Sequence, residues 1–152
     1  MPDLKQICCL AARHTMKGRF SRRIFAMLGG IPVEREGNTI PALNRAKECL
    51  LQGYNVIVFP EGARSRDGSM LPVKGGFAKL AIESGKAIVP VRINGGFEVF
   101  PRGRRFPRLF NWRKFGRYPL SIQFGRTILP KGKTVGTIID EWKETIERMT
   151  LL

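Results

Sequence analysis

The run Tyr54-Asn55-Val56-Ile57-Val58-Phe59 stops at Pro60, and that stop constrains the fold more than any other feature of the chain. Apart from Asn55, every position is aromatic or β-branched, the composition of a strand, and a proline cannot continue a ladder. Gly62 then allows a sharp turn or a close approach to a ligand. Glu61 and Arg64 follow, three residues apart, at the strand's C-terminal end. In open α/β sheets that edge is where ligands bind. Arginine offers a planar fork of donors suited to phosphate, and a glutamate can hold that fork or organise backbone donors. Glu61 cannot meet a phosphate without a bridging cation or donor. Taken alone, the pair reads equally well as a strand-end ion pair.

Around this strand the apolar pattern alternates. Short apolar runs at residues 4–12, 31–35 and 87–93 read as strands, and 54–59 reads as buried. A partly helical basic stretch covers 13–29, with Phe20, Ile24, Phe25, Met27 and Leu28 as its apolar stripe, ended by Gly29-Gly30. Pro41 suits a first helical position, and Ala42, Leu43, Ala46, Leu50 and Leu51 share one face before Gly53. Residues 74–84 form another helix, with Phe77, Leu80 and Ala81 inward and Gly85 closing it. Residues 120–124 resume as a strand. Ile138, Ile139, Trp142, Ile146 and Met149 then mark an amphipathic C-terminal helix. The expectation is an α/β fold, a mostly parallel sheet flanked by helices, formed as one domain over residues 1–152.

The 27 basic residues against 12 acidic ones give a net charge of +15, which calls for an anionic partner. No helix-turn-helix glycine pattern, zinc finger or RNA-binding aromatic motif supports nucleic acid, so an anionic membrane surface is the expected partner and nucleic acid the alternative. No run approaches the ~18 apolar residues of a membrane span, and the start lacks the pattern of a secretory signal. Three cysteines, Cys8, Cys9 and Cys49, are an odd number with two adjacent, which argues against a disulfide framework. With one histidine and no Cys-x2-Cys pair, no metal site is expected; reduced thiols and a cytoplasmic location are.

Phe59-Pro60-Glu61-Gly62-Ala63-Arg64-Ser65 resembles the Phe-Pro-Glu-Gly-Thr-Arg-Ser block of the glycerolipid acyltransferases, the lysophosphatidate acyltransferase family, with Ala63 in place of the usual Thr. Gly30-Ile31-Pro32-Val33-Glu34-Arg35 is similar to that family's Gly-x-x-x-x-Arg block. Ile88-Val89-Pro90-Val91 is similar to its Val-Pro-Val strand, and Lys74-Gly75-Gly76-Phe77 to its Lys-x-Gly helix start. The likeness runs from about residue 4 to residue 130. It implies transfer of a fatty acyl group from acyl-coenzyme A or an acyl-carrier protein to a hydroxyl of a lysophospholipid or glycerol phosphate, in phospholipid biosynthesis. It also implies direct attack of that hydroxyl on the thioester, with no covalent enzyme intermediate, cofactor or metal.

The resemblance assigns the acceptor's phosphate to Arg64, with Arg35 as a second contact. Glu61 is read as an organiser, Gly62 as a backbone requirement, and Lys74 as a third basic contact near a helix N-terminus. The family's His-x4-Asp block, whose His is the general base and whose Asp orients it, has no counterpart. The one histidine, His14, has Arg19 five residues on. The expected block would lie upstream of Met1. Truncation is the favoured explanation, with a fragment or a naturally inactive member as alternatives. The chain is therefore expected to be an N-terminally incomplete acyltransferase domain, inactive as given and without catalytic residues of its own. A non-catalytic lipid- or phosphate-binding module is the other reading.

Gly132-Lys133-Thr134 imitates the end of a phosphate-binding loop, but Thr127 stands where that motif needs glycine. Residues 97–117 hold six aromatics and seven basic residues with one acid. The surrounding segment, residues 95–118, reads as an irregular loop. Phe110, Trp112 and Phe115 are its membrane contacts, or else core beneath it, and the protein sits peripherally at the membrane.

Overall fold

The computed structural model describes residues 7–12, 23, 30–33, 39–104, 107–108, 110–111 and 115–149. Strands β1 (Ile7–Ala12), β2 (Gly30–Val33) and β3 (Asn55–Ile57) form a parallel sheet in the order β2-β1-β3. Cys9 lies opposite Gly30 on one side of β1, and Cys8 opposite Val56 on the other. Helix α1 (Ile40–Leu51) leads from β2 to β3, and α2 (Gly76–Ser84) leads from β3 to β4 (Val91–Asn94). After the four-residue helix α3 (Gly96–Val99) come the two-residue strands β5 (Phe110–Asn111) and β6 (Gly116–Arg117), then β7 (Ser121–Phe124) and α4 (Val135–Arg148). The α/β expectation holds: a parallel sheet with helices packed against it.

Three helices carry the core. Phe77 and Ala78 of α2 meet Ile138, Trp142 and Ile146 of α4, with Ile128 closing the cluster. A second cluster joins Cys8 and Ile31 to Ala42 and Ala46 of α1 and to Leu80 of α2. Val58 packs against both, so the residue just after β3 connects them. The helix ends follow local chemistry. Pro41 occupies the first turn of α1, and Gly85 ends α2 at φ 68°, a conformation that costs glycine little. The hydroxyl of Thr134 accepts from Thr137 N at 3.2 Å and caps α4. The Gly132-Lys133-Thr134 triplet is thus a turn and a helix cap, and Lys133 pairs with Glu141.

Several expectations need correction. The strand at 54–59 is shorter and is not buried on both faces: Val56 and Val58 pack against the helices, whereas Ile57 and Phe59 are exposed. Alternation, not burial, is its rule. Residues 87–93 do not form one strand. Pro90 has no N–H to give, so the ladder starts at Val91, while Ile88 and Ile128 exchange backbone hydrogen bonds of 2.9 and 2.8 Å. The resulting β4 pairs antiparallel with β7, Val91 opposite Phe124 and Ile93 opposite Ile122, and all four side chains are exposed. Leu51, read into the apolar face of α1, is 63% exposed. The segment read as an irregular loop contains α3 and the antiparallel pair β5–β6. Apart from Arg23, the basic stretch at 13–29 lies outside the described residues. No helix among the described residues is long and apolar enough to cross a membrane.

Candidate functional site

The chain leaves β3 into a tight turn. Gly62 N donates to Phe59 O at 3.0 Å, and Gly62 takes φ 67°, in the left-handed region where a side chain is strained. A Cβ there would sit 3.3 Å from Lys74 Nζ, so Lys74 lies across the bare glycine backbone. Lys74 N donates to Pro60 O at 2.9 Å and ties the loop's far end to its beginning. Three of the expected site residues, Glu61, Gly62 and Lys74, are therefore gathered in one closed turn. The sequence reading of Gly62 as a backbone requirement agrees with its conformation.

Glu61 does not hold Arg64. Its Oε2 accepts from Leu71 N at 2.7 Å and braces the loop from inside. Of the two roles open to it, organising backbone donors is the one observed. The turn at Gly62 lies between the two residues and leaves their side chains with separate partners. Arg64 reaches instead to the segment after α3. Its Nη1 donates to Phe100 O at 3.2 Å and to Pro101 O at 3.1 Å, and its guanidinium carbon lies 4.1 Å from the centre of the Phe100 ring. Cation and ring at that distance attract. Arg64 remains exposed.

Between Arg64 and Leu71 the loop is stiffened by short polar side chains. Asp67 Oδ1 accepts from Ser65 Oγ at 2.9 Å, from Ser69 Oγ at 2.6 Å and from Ser69 N at 3.0 Å. The Ser69 bonds, with Ser65 adding to them, pull the Asp67 carboxyl down to about 2. Phe97 covers the far side: a Cβ on Gly68 would meet its ring at 3.5 Å.

Arg35 and His14 lie outside the described residues, as does Trp112. Of the other expected membrane contacts, Phe115 is 87% exposed at φ 44° and Phe110 is 42% exposed. The sequence reading missed Phe100, Pro101 and the Ser65-Asp67-Ser69 network. The Ser-x-Asp-x-Ser spacing is a legible turn signal. Nothing local marks Phe100, which meets Arg64 from 36 residues away.

A family model described as Acyltransferase matches residues 2–94. The chain is 34% identical over 80 residues to a chloroplastic 1-acyl-sn-glycerol-3-phosphate acyltransferase of Brassica napus, covering 51% of this chain and 23% of that one. It is 34% identical over 109 residues to 1-acyl-sn-glycerol-3-phosphate acyltransferase alpha of Mus musculus, covering 69% of this chain and 38% of that one. Among solved structures, the 1-acyl-sn-glycerophosphate (LPA) acyltransferase PlsC from Thermotoga maritima superposes with a TM-score of 0.73 at 25% identity, over 94% of this chain and 55% of that one. The match thus spans little more than half of the solved relative and under two fifths of either curated one.

Proposed function

The chain belongs to the acyltransferase family, alongside the 1-acyl-sn-glycerol-3-phosphate acyltransferases it matches, and on that premise we propose that its loop 59–74 binds the phosphate of a lysophosphatidate-type acceptor. The reaction served is acyl transfer in phospholipid biosynthesis. The acceptor's hydroxyl oxygen bonds to the thioester carbonyl of acyl-coenzyme A or acyl-carrier protein. Its proton leaves to a base, and the carbon–sulfur bond breaks to release the thiol. Arg64 is the direct phosphate ligand, Lys74 adds positive charge across Gly62, Glu61 keeps the loop closed, and Arg35 is a second contact. One observation carries this reading: an exposed guanidinium fixed at the C-terminal end of a parallel strand, with donors to spare.

The 152-residue polypeptide holds one histidine, and no Asp stands five residues after it. A positioned base commonly contributes ~10²–10⁴-fold, so this polypeptide binds acceptor but turns over only in trace. The direct test compares lysophosphatidate with the monoacylglycerol that lacks its phosphate. Binding that needs the phosphate, with trace product from acyl-coenzyme A, is expected. Equal affinity for both lipids would remove the phosphate site, and turnover abolished by His14→Ala would make His14 the base.

The same reading places the protein peripherally on the cytoplasmic side of an anionic membrane, where Phe110, Trp112 and Phe115 meet the lipid interface. The exposed ring of Phe115, held at φ 44°, supports this. Salt screens charge, with a Debye length of ~10 Å at 0.1 M and ~3 Å at 1 M, but does not screen inserted rings. Vesicle binding that high salt weakens without abolishing is expected, and binding fully lost in high salt would leave charge alone.

A further inference from the structure

Arg64 carries more N–H groups than its protein partners use. Nη1 has two, one for each of the two carbonyls it meets, Phe100 O at 3.2 Å and Pro101 O at 3.1 Å. Neither Nε nor Nη2 is bonded to any described residue, and the Phe100 ring, 4.1 Å from the guanidinium carbon, shields one face. What remains is one edge, with Nε–H and an Nη2–H side by side. That edge matches two oxygens of a phosphate monoester dianion.

We infer that Phe100 is a positioning residue for the acceptor: its ring and carbonyl, with the carbonyl of Pro101, lock Arg64 so that the Nε–Nη2 edge faces the phosphate. The inference rests on the reading of Arg64 as the phosphate ligand. Backbone geometry supports such a platform. Gly95 takes φ 78° at the start of α3, and a Cβ there would stand 1.9 Å from Pro119 O, so α3 begins in close contact with the chain entering β7. Val99 N and Phe100 N then donate to Gly95 O and Gly96 O at 3.1 and 2.9 Å, which fixes where Phe100 emerges. A free arginine on a loop loses side-chain entropy when it grips a ligand. An arginine already bonded on its other edge loses less.

The test measures affinity for two probes, inorganic phosphate and a short-chain lysophosphatidate kept below its micelle concentration. The proteins are the parent, Phe100→Leu, Phe100→Tyr, Arg64→Ala and the Phe100→Leu/Arg64→Ala double variant. Leu keeps bulk and removes the π face; Tyr keeps both. Phe100→Leu is expected to weaken both probes about threefold to fivefold, the size of an exposed cation–π contact, with Tyr restoring parent affinity. In the Arg64→Ala background Phe100→Leu should change nothing further, because a residue acting through Arg64 has no effect without it. Parent affinity in Phe100→Leu beside a weakened Arg64→Ala overturns the inference alone, as does the same loss with and without Arg64. A loss confined to the lipid assigns Phe100 to the acyl chain and also overturns it. Parent affinity in Arg64→Ala overturns the phosphate reading itself.

Discussion

Trp142 and Arg64 each rest against a phenylalanine, and the two contacts divide the molecule. The Trp142 ring lies 5.8 Å from Phe77 at 58°, 8% exposed, in a cluster that ties α2 to α4. Arg64 lies over Phe100 in the open, on a loop held by hydrogen bonds that Glu61, Asp67 and backbone carbonyls accept. In the first region apolar burial holds the parts together. In the second, exposed charge is held in place by groups that bury little. A scaffold of the first kind can lose a rim contact and remain folded, so the two regions should fail in different measurements.

The largest effect expected is on the helix side. Trp142→Ala should lower unfolding free energy by about 3–5 kcal/mol in urea titration, the range for emptying a core aromatic site. A loss below ~1 kcal/mol would mean that α4 does not hold the core. Gly95→Ala falls between the regions. Strain at positive φ and overlap with Pro119 O together predict a loss of about 2–4 kcal/mol. Phosphate affinity should fall with it, because Phe100 follows directly on α3; unchanged affinity in a folded variant would separate the platform from the site. Glu61→Ala strips Leu71 N of its acceptor, and about 1–3 kcal/mol should go. Glu61→Gln, which keeps an acceptor oxygen, should recover most of that, and equal losses would show that charge rather than the bond to Leu71 matters.

The smallest effect is a pH dependence confined to the core. Burial, then the Cys49 thiol 3.2 Å away, pushes Cys8 up from 9.0 to about 11. The folded state therefore favours the neutral thiol. Its contribution is fully present below pH 9 and is lost as pH rises through about 11. Cys8→Ala should flatten the stability curve across that window, and an unchanged slope would assign it to other groups.

The order of strands and helices was legible because periodicity and stop signals are local: Pro41, Gly53 and Gly85 each start or end a helix by their own backbone chemistry. The pairing of β4 was not. Val91 and Ile93 are apolar enough to read as interior, and nothing local reveals that their partner is the later, antiparallel β7. Burial was overread for the same reason at Ile57 and Phe59, since an apolar side chain does not declare which sheet face will be covered. At the site, Glu61, Gly62 and Arg64 stand together just after the strand stop, but it was the resemblance to the acyltransferase blocks that singled them out, and Lys74 with them. Their division of labour was not legible. The bond partner of Glu61 is ten residues on and that of Arg64 is 36, and such contacts are made by the fold.

Arg64→Lys is the sharpest test of the central claim, that a fixed guanidinium fork grips the acceptor's phosphate. Lysine keeps the charge and most of the reach but loses the paired donors. Affinity for lysophosphatidate should be measured for the parent, Arg64→Lys and Arg64→Ala at one ionic strength. Both variants should bind about tenfold or more weakly, within about twofold of each other, as expected for losing charge-assisted bonds. Parent-like affinity in Arg64→Lys would contradict it and leave only a positive charge at the end of β3.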